Sequence, residues 1–371
     1  DCTQDALVRA LEVWPRQGIP DRPGAWLTRV AQRRALDQLR RRSQLPPKLA
    51  QAASITLDAG DDRLRLMLVC CHPALSREAQ VALTLRTVAG FTTQQVASAF
   101  LTSEATVAQR VVRAKRKIVK AGIPYRMPPA PELGERIAEV LAVLYLMFNE
   151  GYLSHGWEAA SDRPLAEDAS WLAGQVVAVL PRHGEALGLL ALFRLHLARA
   201  RARFGADGSL VLLADQDRTQ FDRPEILAAV SLLERAGALG APGPYQLQAG
   251  IAACHAQAPS WAATDWATVL DLYDRLLELQ PTPVVALNRV VAVWHVRGPA
   301  VALAEAEPLR RPLDSYHLLH STRAELLRRL GRETEAGRDF QRALELTLNP
   351  AERAHLRRRL EASPAVSPGP A

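Results

Sequence analysis

SREAQVALTLRTVAGFTTQQVASAFLTSEATVAQRVVRAKRKIVK, from Ser76 to Lys120, is the stretch whose reading decides the fold of this chain. Its spacing predicts three helices parted by two short breaks. The first runs over Glu78 to Val88 and stops at Gly90, a helix-ending residue. Thr92 opens the second with Gln95 three residues on, the spacing of a capping box. Leu101, Thr102 and Ser103 form a turn, and Ser103 is placed to cap the third helix, with Glu104 in its positive first turn. Val107, Val111, Ala114 and Ile118 fall at i, i+4, i+7 and i+11, the apolar stripe of an amphipathic helix. Gln109, Arg110, Arg113, Lys115, Arg116, Lys117 and Lys120 stand off that stripe.

A short helix, a tight turn and a helix with a basic outer face follow the helix-turn-helix plan, in which the second helix enters a DNA major groove. The alternative for a basic helix is a solvated surface. Arg110 and Arg113 are the candidates for pairing with guanines or phosphates, and Gln109 for an adenine edge. Thr92 and Thr106 stand at the starts of the two helices of the motif and join the candidate contacts. Lys115, Arg116 and Lys117 suit phosphate contacts, which position a protein without specifying sequence.

The charge distribution agrees. The 371 residues carry a formal net charge of +7. Residues 1–126 hold 21 Lys and Arg against 10 Asp and Glu, a net of +11, and the remainder nets −4. A basic first third fused to an ordinary globular part is the footprint of a polyanion-binding domain. Ala, Leu and Arg dominate and strand-like alternation is nearly absent, so the chain is expected to be all-α. Four cysteines, Cys2, Cys70, Cys71 and Cys254, make no disulfide framework in so long a chain. No run is long and apolar enough for a membrane span and no secretory signal is visible, so a cytoplasmic protein without membrane contact is expected. Cys70, Cys71 and His72 lack a second ligand pair at zinc spacing, and no metal or cofactor is expected.

Upstream, Asp1 to Val13 reads as the end of an amphipathic helix and Ala25 to Arg42 as a strongly basic one, parted by a Pro-containing loop; the phrases they carry are DALVRALEVWP (Asp5 to Pro15) and PGAWLTRVAQRRALDQLRRR (Pro23 to Arg42). With TVAQRVVRAKRKI (Thr106 to Ile118) they resemble a bacterial RNA polymerase sigma factor of the extracytoplasmic-function (ECF) group, which keeps only regions 2 and 4. CCHPALS, AQVALTLR, AGIPYR, LYLMFNEGY and DQDR are similar to one subgroup with a long C-terminal helical extension of tetratricopeptide-like repeats. The resemblance implies that the β′ clamp of core RNA polymerase is gripped through Asp1, Gln4, Asp5, Val8 and Arg9. It implies that the −10 promoter element is opened and read through Trp26, Arg29, Arg33, Arg34, Arg40 and Arg41. Region 4 would bind the −35 element and the β flap. A strand-opening helix needs a basic groove and a place for an unstacked base. Trp26 suits stacking, although its spacing to Val30 also fits a core side chain. The family often carries Asn where this chain has Arg33. Its region 2 begins with a further helix that would precede Asp1, so the chain reads as truncated there.

The expected domains are a partial region 2 (1–42), a linker (43–60), region 4 (61–122), a Pro-rich hinge (123–131), a helical domain (132–244), tetratricopeptide-like repeats (245–362) and a disordered tail (363–371). The repeat is read from LYDRLLELQPTPVVAL (Leu272 to Leu287) against DFQRALELTLNPAERA (Asp339 to Ala354). Tyr273, Leu277 and Pro283 align with Phe340, Leu344 and Pro350, an offset of 67 residues or two periods of about 34. Such arrays bind peptides or other domains, so a regulatory protein or peptide is a candidate partner. Asp215, Asp217, Arg218, Asp222 and Arg223 read as a salt-bridged structural turn rather than an acid/base or metal site. The leading expectation is a sigma factor, which is not an enzyme, with a regulatory extension. The alternatives are a stand-alone helix-turn-helix regulator with a sensory repeat domain, and a scaffold whose basic patch is incidental.

Overall fold

A computed structural model describes Val30 and residues 59–100, 102–153, 163–205, 211–240, 242–347 and 349–361. The chain divides into two units, Asp1–Asp58 and Ala59–Ala371, and the helices named below belong to the second. Among the described residues the regular elements are helices and no strand occurs. The chain is all-α, as its composition requires.

The first helices are α1 (Ala59–Cys70), α2 (Arg77–Thr84), α3 (Thr93–Ala99) and α4 (Glu104–Lys120). Helix α2 was expected to continue to Val88. Instead it passes at Leu85 into a π-helical turn that ends at Ala89, where Gly90 takes a left-handed φ of 81°. The wider turn lets the Phe91 amide donate to the Leu85 carbonyl at 3.0 Å. Arg86 donates from its guanidinium to the carbonyl of Phe91, closing the same loop.

Helices α5 (Ala130–Leu153), α6 (Arg163–Val179), α7 (Gly184–Leu197), α8 (Arg223–Gly237) and α9 (Pro244–Gln257) follow. The run from Glu135 to Glu150 is apolar on most sides because it is covered on most sides: Ile137, Val140, Val143, Leu144, Met147 and Phe148 are at most 1 % exposed. One core extends from Leu64, Met67 and Leu68 on α1, through Val81 on α2 and Val107 on α4, to these α5 side chains and on to α7. Arg136 on α5 donates to the Leu68 carbonyl at the end of α1, and Arg77 pairs with Glu139 at 2.8 Å. The helices on either side of the Pro-rich segment 123–131 thus share buried surface.

Helices α7 and α9 cross at glycine. A Cβ on Gly188 would stand 2.8 Å from the Gln246 backbone nitrogen and 2.9 Å from its Cα, so only hydrogen fits there. Glu185, one turn earlier, accepts from the amides of Tyr245 and Gln246 at 2.9 and 3.2 Å. A carboxylate from one helix therefore caps the positive end of the other. Helix α9 has two buried faces. Ala249, Ala252, Ala253 and Ala256 enter the first core, and Leu247 and Ile251 enter a second.

That second core belongs to α10 (Trp266–Leu279), α11 (Pro283–Arg297), α12 (Pro299–Ala306), α13 (His317–Arg329), α14 (Glu333–Leu346) and α15 (Pro350–Glu361). Alternate helices begin at 266, 299 and 333, and the others at 283, 317 and 350, so each start recurs after 33 or 34 residues. An ion-pair clasp recurs with them. Arg289 on α11 holds Asp274 on α10 and Glu305 on α12. Thirty-four positions on, Arg323 on α13 holds Glu307, just past α12, and Asp339 on α14. Each arginine ties its helix to the elements before and after it, so the stack is joined by charge as well as by apolar contact.

The Asp215–Arg223 segment is structural, though its arginines are not engaged as expected. Arg218 is buried and donates to the carbonyls of His255 and Ala258, at 3.0 Å for the latter, and Arg223 donates to that of Ala256 at 3.2 Å. These are orphan acceptors at the C-terminal end of α9. Asp217 caps the short turn Arg218–Gln220, and Asp222 caps α8.

Candidate nucleic-acid interface

The helix-turn-helix is built by local hydrogen bonds that its residue types prescribe. The Gln95 amide donates to Thr92 Oγ1 at 3.1 Å while the Thr92 amide donates to Gln95 Oε1 at 2.8 Å, a reciprocal capping box. Ser103 accepts from the Thr106 amide at 3.2 Å, and its hydroxyl lies 2.8 Å from that of Thr106. In the turn, the Thr102 amide donates to the Ala97 carbonyl at 2.9 Å. Caps of this kind contribute about 0.5–2 kcal/mol each and fix where α4 begins.

Helix α4 then turns its apolar stripe inward. Val107 and Ala114 are buried, and Val111 and Ile118 are half-buried, packed with Ala114 against Cys70, Leu75 and Leu83. Gln109, Arg113, Arg116 and Lys120 repeat the stripe's spacing two positions later. At about 100° per residue this rotates them roughly 200° away from the core. All four are exposed, as are Lys115 and Lys117. The Arg113 guanidinium lies 3.5 Å from Gln109 Oε1, which aligns the two side chains along one ridge.

Arg110 differs from Arg113. It is half-buried on the flank of α4, on the side of Glu78. The Glu78 carboxyl is held below its usual range by its own backbone amide and the Ser76 hydroxyl, with Arg110 adding to both. Lys115 lies on the opposite flank and is close enough to Cys70 to act on its thiol, which burial nevertheless pushes up. The flanking positions of Arg110 and Lys115 were not distinguished by sequence, although their wheel angles signal it.

Among the described residues no ion pair engages Arg110, Arg113, Lys115, Arg116, Lys117 or Lys120. Apart from the half-buried Arg110, these cations are exposed to solvent. Thr92 is exposed and Thr106 is half-buried, with their hydroxyl oxygens occupied in the caps. Cys70 and Cys71 are buried, and the Cys71 sulfur lies 3.5 Å from the Thr84 hydroxyl. Burial raises the Cys71 thiol to about 12, the Thr84 hydrogen bond opposing it. Among the described residues no three His, Cys, Asp or Glu side chains come together as metal ligands. Asp1, Gln4, Asp5, Val8 and Arg9, and Trp26, Arg29, Arg33, Arg34, Arg40 and Arg41, lie outside the described residues.

Residues 1–44 match the family model described as Sigma-70 region 2, and residues 65–118 that described as Sigma-70, region 4. Residues 136–237 match a family of unknown function, DUF6596. The chain is 43 % identical over 372 residues to Uncharacterized protein R00370 of Rhizobium meliloti (strain 1021), an alignment covering 96 % of this chain and 88 % of the relative.

Proposed function

We propose that this chain, whose residues 1–44 and 65–118 match the models of Sigma-70 region 2 and Sigma-70, region 4, is an ECF-type sigma factor with a regulatory C-terminal extension. Sigma-70 proteins are transcription initiation factors, not enzymes; they bind core RNA polymerase and a promoter. In this reading α4 reads the −35 element through Arg113, Gln109 and Arg110, while Arg116, Lys117, Lys115 and Lys120 hold phosphates. Thr92 and Thr106 set the entry of the two helices. The −10 element is opened by Trp26, Arg29, Arg33, Arg34, Arg40 and Arg41, and the β′ clamp is held by Asp1, Gln4, Asp5, Val8 and Arg9. Among the described residues no helix is long and apolar enough to cross a membrane; a cytoplasmic protein fits the proposal.

The observation that carries the −35 assignment is the exposed ridge Gln109, Arg113, Arg116 and Lys120, opposite a buried stripe and free of ion pairs among the described residues. Gel filtration with core polymerase tests the whole reading. Co-elution, followed by transcription from a promoter bearing both elements, is the expected result. Tight binding of duplex promoter without core, and no co-elution, would mark a stand-alone regulator instead.

The extension is read as tetratricopeptide-like because helix starts and arginine clasps recur every 33 or 34 residues. It regulates through the shared core that joins α1, α2 and α4 to α5. Because α5 covers apolar surface of the helix-turn-helix, a cut before it would expose that surface, so the better test shortens the array from its far end. A chain ended after Gly331 is expected to keep promoter choice but change transcript yield. Unchanged yield at equal far-ultraviolet helicity per residue would sink the regulatory role.

A further inference from the structure

Between the two cores, against α9, lies a cavity of about 570 Å3, within the range of small-molecule sites. Its floor carries Arg199, His196 and His255, and one wall carries Tyr145, Tyr245 and Gln248. Tyr145 donates to Gln248 Oε1 at 2.9 Å, and its ring stands 5.4 Å from that of Tyr245. The mouth is formed by the start of α11, where Thr282, Val284 and Asn288 are exposed. Among the described residues no Asp or Glu lines the cavity.

Arg199 is the anomaly. It is only 7 % exposed, and its Nε has no hydrogen-bond partner. Arg323, equally buried, is clasped by two carboxylates, as is Arg289. Among the described residues no carboxylate reaches Arg199; the titratable groups that act on it are the phenol of Tyr152 and the like-charged Arg203. His255 is 8 % exposed and its Nδ1 is also unpartnered, as is Nδ1 of His196. Burial, with Arg199 adding repulsion, holds both imidazoles neutral: His196 is lowered to about 3 and His255 to about 4. A buried cation without a partner is costly. Here it faces an open volume whose mouth is the N-terminal turn of a 15-residue helix, itself a positive pole. Arg218 and Arg223 hold the carbonyls around His255, which keeps that ring at the cavity.

We propose that this cavity binds a small organic anion, a carboxylate or phosphate monoester on an apolar or aromatic body, with Arg199 as the counter-charge and the tyrosine wall against the body. The headgroup completes the hydrogen bonding of the Arg199 guanidinium, and Leu192, Leu213 and Ile251 receive the apolar part. The site stands independently of promoter recognition, because none of its residues lies in α1 to α4.

Thermal unfolding of the full chain tests it without polymerase or DNA. The probes are phenyl phosphate, phenylacetate and the neutral phenylacetamide, with inorganic phosphate as a bare anion and sodium chloride matching ionic strength. At least one aryl anion is expected to raise Tm saturably while phenylacetamide does not, and the two aryl anions compared decide between phosphate and carboxylate. Arg199→Met is expected to weaken that anion at least about tenfold, a charged hydrogen bond being lost, without lowering the Tm of the free chain. Should that variant fold poorly, Asn288→Asp at the exposed mouth places a like charge there and is expected to weaken binding roughly three- to tenfold. If neither aryl anion exceeds phenylacetamide, or if every folded variant tested responds as the native chain does, the proposal is wrong. A response to inorganic phosphate equal to that of the aryl anions overturns the apolar subsite.

Discussion

Replacing Arg110 and Arg113 together with alanine is expected to lower −35-dependent transcription on the order of 100-fold, since each bidentate base contact contributes about 1–3 kcal/mol. The two changes leave α4 folded, because its buried stripe is Val107, Val111, Ala114 and Ile118 and its cap is Ser103. Co-elution with core polymerase should persist. Arg113→Ala alone is expected to account for more of the loss than Arg110→Ala, because Arg113 stands on the exposed ridge and Arg110 on the flank beside Glu78. Replacing Arg116 and Lys120 should act differently. Binding weakens for all sequences alike, and the salt dependence becomes shallower by about one counterion per lost phosphate contact. The measurement is single-round transcription on templates with the −35 element intact or scrambled. If the double variant chooses start sites as the native chain does, α4 is not the reading helix.

Phe148→Ala is expected to destabilise the unit that begins at Ala59 by about 3–5 kcal/mol. The Phe148 ring is 1 % exposed and stacks on Phe193 of α7 at 4.1 Å between centroids, with Tyr152 at 5.3 Å. The ring belongs to a core that also holds α1, α2 and α4, so the loss is not confined to the neighbourhood of α7. Urea unfolding followed by far-ultraviolet dichroism and by tryptophan fluorescence should show the midpoint falling with both probes together. Separate transitions, with the Ser76–Lys120 helices unaffected, would mean that the shared core does not couple them. Phe193→Leu is the milder companion. It keeps an apolar side chain against Phe148 and should cost less than the alanine change.

Much of the helix-turn-helix was legible because its determinants are local. Thr92 with Gln95, and Ser103 with Thr106, make bonds across three residues, so residue type and spacing suffice. The 67-residue offset was legible for a related reason: Pro283 and Pro350 each open a helix, since proline suits a first turn. The π turn at Leu85–Ala89 was not, because it depends on Arg86 reaching the Phe91 carbonyl after the chain has folded back. The arginines of the Asp215–Arg223 segment were misread for the same reason. Their partners are carbonyls of residues 255, 256 and 258, more than thirty positions on, and acidic neighbours in sequence made ion pairing the natural expectation.

By itself the sequence determined the all-α class, the capped helix-turn-helix, the basic first third and the period of the C-terminal array. All of these follow from short-range hydrogen bonding, helical periodicity and charge, which act along the chain. Only the tertiary structure decided that α5 and α4 share one core, that α9 divides two cores, and that Arg199 is buried beside a cavity with no carboxylate among the described residues. Those depend on which distant side chains meet and on what water is excluded, and burial sets the cost of a charge only once the chain has closed around it.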